Sequence, residues 1–367
     1  MDAKITKKRL NILLSYDWIK IILTAVAVIL VWSLLFTMTA TRATQAQVFT
    51  IFNYTGTTAT DRFSNYASLQ GGDVFSYDIL EVTPTDITTG GDYSDTLIQT
   101  RLSTGEGDAL FAANSNEGVE TEYARPDGTT YHPTYLEQFL SGYFSAAEDL
   151  GNGDGTGGFF QDMAEYLNGY YHGDYTKGDA DEEKIEADFY ARLDGLNDKR
   201  FKSAAEKRAG LEQEKARLEK QRTDLIDFLS YLDAGYVSLQ QTTLYFQGSD
   251  GEPMTVTGYY SINLCPDDRM DDLRRDVYYY AESGSSDSQD DSAAGSSSDT
   301  SDGASDSAGG SASDSSEGSG DPPVRTARDI CLVLLNVAED RYQYARFESL
   351  SFVNYLIETH CSALQAD

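Results

Sequence analysis

The chain has 367 residues and a formal net charge of −32, from 60 acidic against 28 basic residues. This balance argues against nucleic-acid binding, because phosphate backbones are neutralised by lysine and arginine patches, and it disfavours adsorption to anionic lipid. It suits solubility and cationic or basic partners, and the length allows one large or two small domains.

An uncharged, strongly apolar segment at residues 21–38 follows a basic lead at residues 1–20. A helix of this length spans roughly 27 Å, close to the hydrocarbon thickness of a bilayer. Trp18 and Trp32 lie in or beside the segment, and Lys20 stands at its edge. The pattern predicts a single transmembrane helix in contact with membrane lipid. Because the positive charge precedes it, we expect a cytoplasmic N-terminus and an extracellular C-terminal body at the cell membrane.

A cleavable signal peptide is the alternative interpretation of this segment. Residues Thr44 to Ala46 loosely resemble a cleavage site before Gln47. The basic lead is long, however, and the apolar run exceeds the ~7–15 residues usual for a signal-peptide core. The pattern therefore favours a retained anchor over a cleaved signal.

Residues 47–280 are predicted to form an extracytoplasmic α/β domain. Its first portion contains predicted strands at 47–54 and 74–82, a helix through Leu102 that Gly105 ends, and a short buried strand at 108–113. Strands that alternate with helices indicate α/β packing.

The middle of this domain, residues 135–232, is predicted to be helical. Its candidate helices lie at 135–144, 159–171, 181–196 and 199–232. In the last of them Leu211, Leu218, Leu225 and Leu232 recur every seven residues, yet only this column is consistently apolar. A sustained coiled coil needs two such columns. The pattern favours a long amphipathic helix lying on its own domain over a dimerising coil.

Two further predicted strands, 236–247 and 254–264, precede a low-complexity tract of Ser, Asp and Gly at residues 281–323. The tract has no basic residue and cannot bury apolar surface, so it is predicted to be a disordered acidic insertion. Residues 324–367 are predicted to complete the domain with a strand at 329–337 and a final amphipathic helix.

Catalytic and metal-binding motifs are absent from the sequence. There is no GxSxG elbow, HExxH, P-loop or complete dinucleotide fingerprint, so neither an enzyme nor a bound cofactor is predicted. The stretch from Asn152 to Gly155 partly matches a calcium loop, but Leu150 stands where an acid is needed and Gln161 at the twelfth position. A glycine-rich turn before a helix is favoured, and no metal site is predicted.

The three cysteines, Cys265, Cys331 and Cys361, are few and odd in number. This count does not describe a disulfide-stapled scaffold, and no CxxC spacing is present. Buried free thiols are favoured over a single disulfide bridge.

The segment Leu97 to Asn114 (LIQTRLSTGEGDALFAAN) resembles the helix–glycine–strand turn in the first lobe of extracytoplasmic solute-binding proteins of ABC importers. Gly105, Glu106, Gly107 and Asp108 stand at the places of its xxGxGxD turn. The C-terminal stretch RFESLSFVNY likewise looks like a lobe-closing helix of that family. The resemblance covers these two blocks. It implies a membrane-anchored, single-lobe relative from Gram-positive bacteria, in which helices replace the second lobe.

Together these patterns predict an α/β (α+β) protein, with a transmembrane helix followed by one solute-binding-lobe-like sheet covered by helices. The resemblance implies a binding or interaction protein accessory to an ABC importer, with an envelope or transporter protein as partner. A ligand site is expected at Tyr54, Glu106, Asp108 and Asn114, for a ligand that the sequence does not name. The alternative is a structural or assembly factor of the cell envelope that acts through the transmembrane helix and the helix at 199–232.

Overall fold

The computed structural model describes residues 18–20, 22–34, 43, 47–69, 74–87, 93–195, 200–247, 252–264, 266, 270, 273, 277, 329–337 and 344–364. The chain divides into two compact units, Met1–Thr44 and Gln45–Asp367. The predicted insertion at 281–323 lies outside the described residues.

The first unit contains helical residues at 18–20 and 22–34. Among the residues that the structure describes, no helix is both long and apolar enough to cross a membrane. Residues 21 and 35–38 of the predicted transmembrane segment lie outside the described part of the chain.

The second unit contains both strands and helices, with four of the helices consecutive in the middle of the chain. Its described strands are β1 (Val48–Tyr54), β2 (Glu81–Asp86), β3 (Ala109–Ala113), β4 (Tyr123–Ala124), β5 (Thr130–Tyr131), β6 (Ser238–Gln247), β7 (Pro253–Asn263) and β8 (Ile330–Leu334). Its described α-helices are α1 (Ser94–Ser103), α2 (Tyr135–Tyr143), α3 (Gly158–Asn168), α4 (Glu182–Gly195), α5 (Ala204–Asp233) and α6 (Glu348–His360).

Six strands form one mixed sheet in the order β2-β1-β3-β8-β7-β6. Strand β1 is parallel to β2 and β3, whereas β8 is antiparallel to β3 and to β7, and β7 is antiparallel to β6. A mixed sheet with helices confirms the predicted α/β (α+β) class. Because β1, β2 and β3 run parallel, their carboxyl ends lie along one edge of the sheet.

Both faces of the sheet are buried, and the alternation of side chains along β1 shows how. Phe49 and Ile51 point into a core shared with α3, α4, α5 and α6. Phe52 and Tyr54 point into a second core shared with α1 and α2. A strand buried on both faces reads as a continuous apolar run, and this explains why β1 was recognisable from sequence.

The prediction of a strand at residues 74–82 is wrong for residues 74–80. Residues 74–80 form turns and bends, in which Ile79 N donates to Ser76 O at 3.2 Å, and β2 begins only after them. Phe75 and Ile79 are nevertheless buried in the core. Alternating burial therefore arises here from a turn that directs separate side chains inward.

Helix α5 lies on its own domain, as the leucine pattern predicts. Ser203 and Glu206 form a capping box at its start. Leu211, Leu218 and Leu225 are 8 %, 1 % and 0 % exposed in the core shared with the other helices. The favoured interpretation of an amphipathic helix packed on its own domain is confirmed.

The buried Arg217 of α5 makes hydrogen bonds and a cation–π contact with residues around the helix. Arg217 lies 3.9 Å from the Tyr344 ring centroid, and its guanidinium donates to Glu214 at 2.6 Å, to Gln221 at 2.8 Å and to the Tyr166 hydroxyl at 3.0 Å. Burial by itself would raise the pKa of Glu214. The charges and hydrogen bonds of Arg217 and Arg192 outweigh burial and lower this pKa to about 2. A buried charge with this many partners is stable only while the pairing is intact.

Two of the cysteines behave as the sequence predicts. Cys331 lies in β8 and Cys361 follows α6, and both are buried thiols outside any disulfide. Cys265 lies outside the described residues.

Candidate functional site

A group of tyrosines occupies the edge of the sheet where the parallel strands end. Tyr54 is the last residue of β1, Tyr123 and Tyr131 lie on the β4–β5 hairpin after β3, and Tyr135 and Tyr143 begin and end α2. We refer to these five residues as the tyrosine cluster. In open α/β sheets, ligands bind outside the carboxyl ends of parallel strands, which is the position of this cluster.

The end of β1 and the start of α2 are in close contact. Gly56 has a φ of +77°, and a Cβ at this position would lie 2.1 Å from Cζ of Tyr135. Only glycine permits both this conformation and this approach. The Tyr135 hydroxyl donates to Glu117 O at 3.1 Å. Thr134 and Glu137 form a capping box that holds the first turn of α2.

An inner row of rings extends from the sheet to the end of α2. The Tyr54 and Phe139 centroids are 5.8 Å apart at 61°, and the Phe139 and Tyr143 centroids are 5.6 Å apart. The Tyr143 hydroxyl donates to Asp95 O at 3.1 Å, so the row ends on the first turn of α1. Residues that follow β1, β2 and β3 thus converge at one edge.

An outer row of rings crosses the β4–β5 hairpin. Tyr123 pairs with Tyr131 across the hairpin, and their rings are 6.2 Å apart at 89°. The Tyr131 ring meets Tyr245 of β6 at 5.9 Å and 81°. Arg125 places its guanidinium carbon 4.4 Å from the centroid of Tyr131. In edge-to-face contacts of this kind, the edge of one ring packs against the face of the next.

The hydroxyls of the tyrosine cluster are neutral hydrogen-bonding groups. Burial, and then the nearby Asp95 carboxylate, raises the pKa of Tyr54, Tyr123 and Tyr143. Burial, and then Glu137, raises the pKa of Tyr131 to about 12. Tyr123, Tyr131 and Tyr143 are partly exposed, so ring surface of these three tyrosines is open to a ligand, whereas Tyr54 and Tyr135 are buried.

The structure divides the four predicted site residues between opposite edges of the sheet. Tyr54 ends β1 and Asn114 directly follows β3, so both lie at the carboxyl edge of the parallel strands. Glu106 and Asp108 precede β3 at the other edge, where Glu106 forms an ion pair with Arg101. The length of β3 separates the two pairs, so the structure does not bring the four residues together.

Asp108 instead serves the fold. It is 8 % exposed, and its carboxylate accepts from Thr50 N at 2.7 Å, tying the start of β3 to β1. Burial raises its pKa to about 7, the Thr50 hydrogen bond opposes this, and the Glu348 carboxylate adds to it. Glu348 is also buried, and burial raises its pKa in turn.

Sequence reasoning missed Tyr123, Tyr131, Tyr135, Tyr143 and Asp95. A signal was present, because the four tyrosines occur in one stretch directly after the apolar run of β3. The chain leaves a parallel strand at its carboxyl end, so this stretch had to start at the ligand side of the sheet. Asp95 carried no such signal, since its approach depends on how α1 packs.

The stretch predicted as a glycine-rich turn forms one. Asn152 N donates to Thr156 O at 2.7 Å, and Asp154 Oδ1 accepts from Thr156 N at 3.1 Å. The loop closes on itself and leads into α3, so the interpretation as a turn before a helix is confirmed. Within the described ranges, no group of three or more His, Cys, Asp or Glu side chains could hold a metal ion.

No family model, curated protein or solved structure gives a significant match. The functional assignment therefore depends on the site itself.

Proposed function

We propose that the chain is a membrane-anchored extracytoplasmic binding protein, with one α/β lobe that binds its ligand at the partly exposed tyrosines of the cluster, Tyr123, Tyr131 and Tyr143. The observation that carries this proposal is the convergence of residues after β1, β2 and β3 at the carboxyl edge of the parallel strands. Tyrosine supplies large contact area at low entropic cost and a polar tip for orientation. Such a surface suits binding rather than a chemical reaction.

The anchor is proposed from sequence. Residues 22–34 are helical and carry no charged side chain, and the basic lead precedes them. The asymmetry of positive charge favours an N-terminus in the cytoplasm and export of the acidic body. Residues 21–38 would then contact membrane lipid.

The proposed kinship with solute-binding lobes of ABC importers draws on the turn before β3. Helix α1, two glycines and β3 follow one another there, and Gly107 has a φ of +132°. A Cβ on Gly107 would lie 2.7 Å from the Phe52 ring, so the turn packs tightly on β1. An accessory role beside an importer, with a transporter or envelope protein as partner, is the function that this kinship would give the lobe.

The alternative of an assembly factor acting through residues 199–232 receives less support. The leucines that would form a coiled-coil seam, Leu211, Leu218 and Leu225, are buried in the core of the same chain. They are occupied by intramolecular packing and are not available to a partner helix.

Topology is tested by adding protease to intact bacterial cells that express the full chain with a tag at either terminus. We expect the C-terminal tag to be digested and the N-terminal tag to be protected until the cells are permeabilised. Protection of the C-terminal tag in intact cells would refute the proposed orientation.

Binding is tested by thermal shift of the full chain in detergent, against millimolar sugars, amino acids, peptides and organic cations. A ligand should raise the unfolding temperature, because binding to the folded state stabilises it. The shift should disappear in a Tyr123→Ala/Tyr143→Ala variant and persist in Tyr236→Ala, a control on another element. A shift that survives the double variant would place the site elsewhere, and no shift with any solute would refute the binding function.

A further inference from the structure

We infer that Asn152 is a site of spontaneous modification, where the asparagine deamidates to aspartate and isoaspartate in preference to the other Asn–Gly pair of the described chain, Asn168–Gly169. The inference concerns the glycine-rich loop before α3 and is independent of the proposed binding function. Asparagine is among the thermolabile residues, and a glycine that follows it has no Cβ to shield its amide nitrogen. The loop combines this pair with a nitrogen that is not engaged elsewhere.

The reaction joins the side chain of Asn152 to the main chain of Gly153. The Gly153 nitrogen attacks Cγ of Asn152, so that an N–Cγ bond forms and the Cγ–Nδ2 bond breaks. Nδ2 leaves as ammonia and takes up the proton that the glycine nitrogen loses. Water then opens the imide ring. Breaking the N–Cγ bond gives aspartate, whereas breaking the bond from this nitrogen to the main-chain carbonyl carbon of Asn152 gives isoaspartate. Water is the only co-reactant, and no electrons are transferred.

The nitrogen that must attack is available at Gly153. Both Asn152 and Gly153 are exposed, and within the described ranges Gly153 N donates no hydrogen bond. In the same part of the chain the Asn152 side chain makes one hydrogen bond, from Nδ2 to the Thr156 hydroxyl at 3.0 Å, between two exposed residues. A Cβ on Gly153 would lie 2.8 Å from Cζ of Tyr259, so packing in this loop favours the glycine that the reaction needs.

The pair Asn168–Gly169 is held in an unreactive arrangement at the end of α3. Gly169 N donates to Glu165 O and to Tyr166 O, each at 3.2 Å. The Asn168 side chain is also engaged, because its Oδ1 accepts from Tyr175 N at 2.8 Å. The ring can close only after these bonds break, which requires local unfolding of the helix end. Two identical dipeptides therefore differ in how readily they react.

Aspartate–glycine pairs can close the same ring, but their glycine nitrogens are engaged in the part of the chain that the structure describes. Gly128 N donates to Arg125 O at 3.0 Å, and Gly155 N donates to Asn152 O at 3.1 Å. Gly195 lies within α4, where amide groups bond along the helix. Hydrogen bonding thus distinguishes Asn152 from pairs that the sequence pattern alone would rank beside it.

Conversion to isoaspartate should loosen the start of α3. Isoaspartate adds a methylene group to the main chain, in a loop that is closed by Asn152 N donating to Thr156 O at 2.7 Å and by Gly155 N donating to Asn152 O. The loop also packs tightly on α5, because a Cβ on Gly155 would lie 2.7 Å from Cδ2 of Leu229. A longer main chain should not keep both closures and this packing, so the product should be less stable than the native chain.

The test is peptide mapping by mass spectrometry of the full chain in detergent, during incubation at pH 8. We expect a mass gain of one dalton at Asn152, with aspartate and isoaspartate forms that separate by chromatography. The rate should be about tenfold or more above that at Asn168, because only Asn168 needs local unfolding first. The same incubation in urea removes the hydrogen bonds and should bring the two rates together.

Equal rates at the two sites in the folded chain, or a faster reaction at Asn168, would overturn the inference. So would a folded chain in which Asn152 does not react under conditions where it reacts in urea.

Variants separate the chemistry from its effect on the fold. Asn152→Gln keeps an amide, but its longer side chain would have to close a larger and less favourable ring, so the modification at this position should disappear. The control Asn168→Gln should leave the mass gain at Asn152 unchanged. After identical incubation the native chain should lose unfolding temperature, whereas Asn152→Gln should keep it. Equal losses in the two chains would refute the effect of the product on the loop.

Discussion

Replacement of Asp108 by asparagine should change stability little at acidic pH and should remove a loss of stability that the native chain suffers as the pH rises. The carboxyl group is buried between β1 and β3, with a pKa raised to about 7 from 3.8. Asparagine has nearly the same shape and keeps an oxygen that can accept from Thr50 N, now bound at 2.7 Å. The substitution removes only the titratable carboxyl group of Asp108.

The sign follows from proton linkage. Below pH 3.8 the group is protonated in both states, and between pH 3.8 and about 7 the unfolded chain ionises while the folded protein keeps the proton. Stability from this group is therefore lost as pH rises through that window. At about 1.4 kcal/mol per pKa unit, the loss amounts to about 4 kcal/mol by pH 8. Asp108→Asn should escape it, and so should gain relative to the native chain as pH rises.

The assay is urea unfolding of the full chain in detergent at several pH values between 3.5 and 8. The difference in unfolding free energy between variant and native chain should move in favour of the variant across this range. The matched control Asp179→Asn removes the same charge from an exposed position and should show no such trend. A difference that stays constant with pH, or the same trend in the control, would refute the assignment of a buried, protonated carboxyl.

Three further predictions concern packing. Gly56→Ala should lower the free energy of unfolding by about 1–3 kcal/mol, and the unfolding temperature with it. The added methyl group would collide with the Tyr135 ring, and residue 56 has a φ of +77°, which alanine rarely adopts. An unchanged unfolding temperature would contradict the close approach. Arg217→Met should lower the free energy of unfolding by about 3–5 kcal/mol at pH 7, because it leaves the buried Glu214 carboxylate without this partner. The pKa of Glu214 is lowered from 4.5 to about 2, so the stabilisation from its ionised form is present above pH 4.5 and is lost as the pH falls toward 2, and the cost of the substitution should shrink with it. A cost that does not change with pH would refute the coupling between Arg217 and Glu214. Leu218→Asp should unfold the domain because it places a charge in the core, whereas Ile226→Asp, on the same helix but 39 % exposed, should not. If sedimentation shows that the native chain is a dimer and that Leu218→Asp is a folded monomer, the coiled-coil interpretation would be restored.

The local elements were largely predictable because their signals are short in range. The apolar runs of β1, β3 and β8 and the leucine spacing of α5 each lie within one segment, and each is found where the pattern predicts. The turn at residues 74–80 escaped prediction because alternating apolar residues satisfy two different local structures equally well.

The site was harder, because its parts are distant in sequence. Tyr54 and Asp108 both stand beside predicted strands, yet the strand direction puts one at the carboxyl edge and the other at the amino edge. Only pairing decides this: β1 and β3 are parallel, so residues at equivalent ends meet. The approach of Asp95 to the rings likewise depends on how α1 packs after β2.

The charge, the apolar N-terminal segment and most of the helices and strands can be read from the chain alone, since each of these elements depends on neighbours within a few turns. The tertiary structure alone decided that tyrosines scattered over 90 residues, from Tyr54 to Tyr143, share one edge with Asp95. Parallel pairing and crossover helices produce that meeting, and they are non-local events that no window of sequence contains.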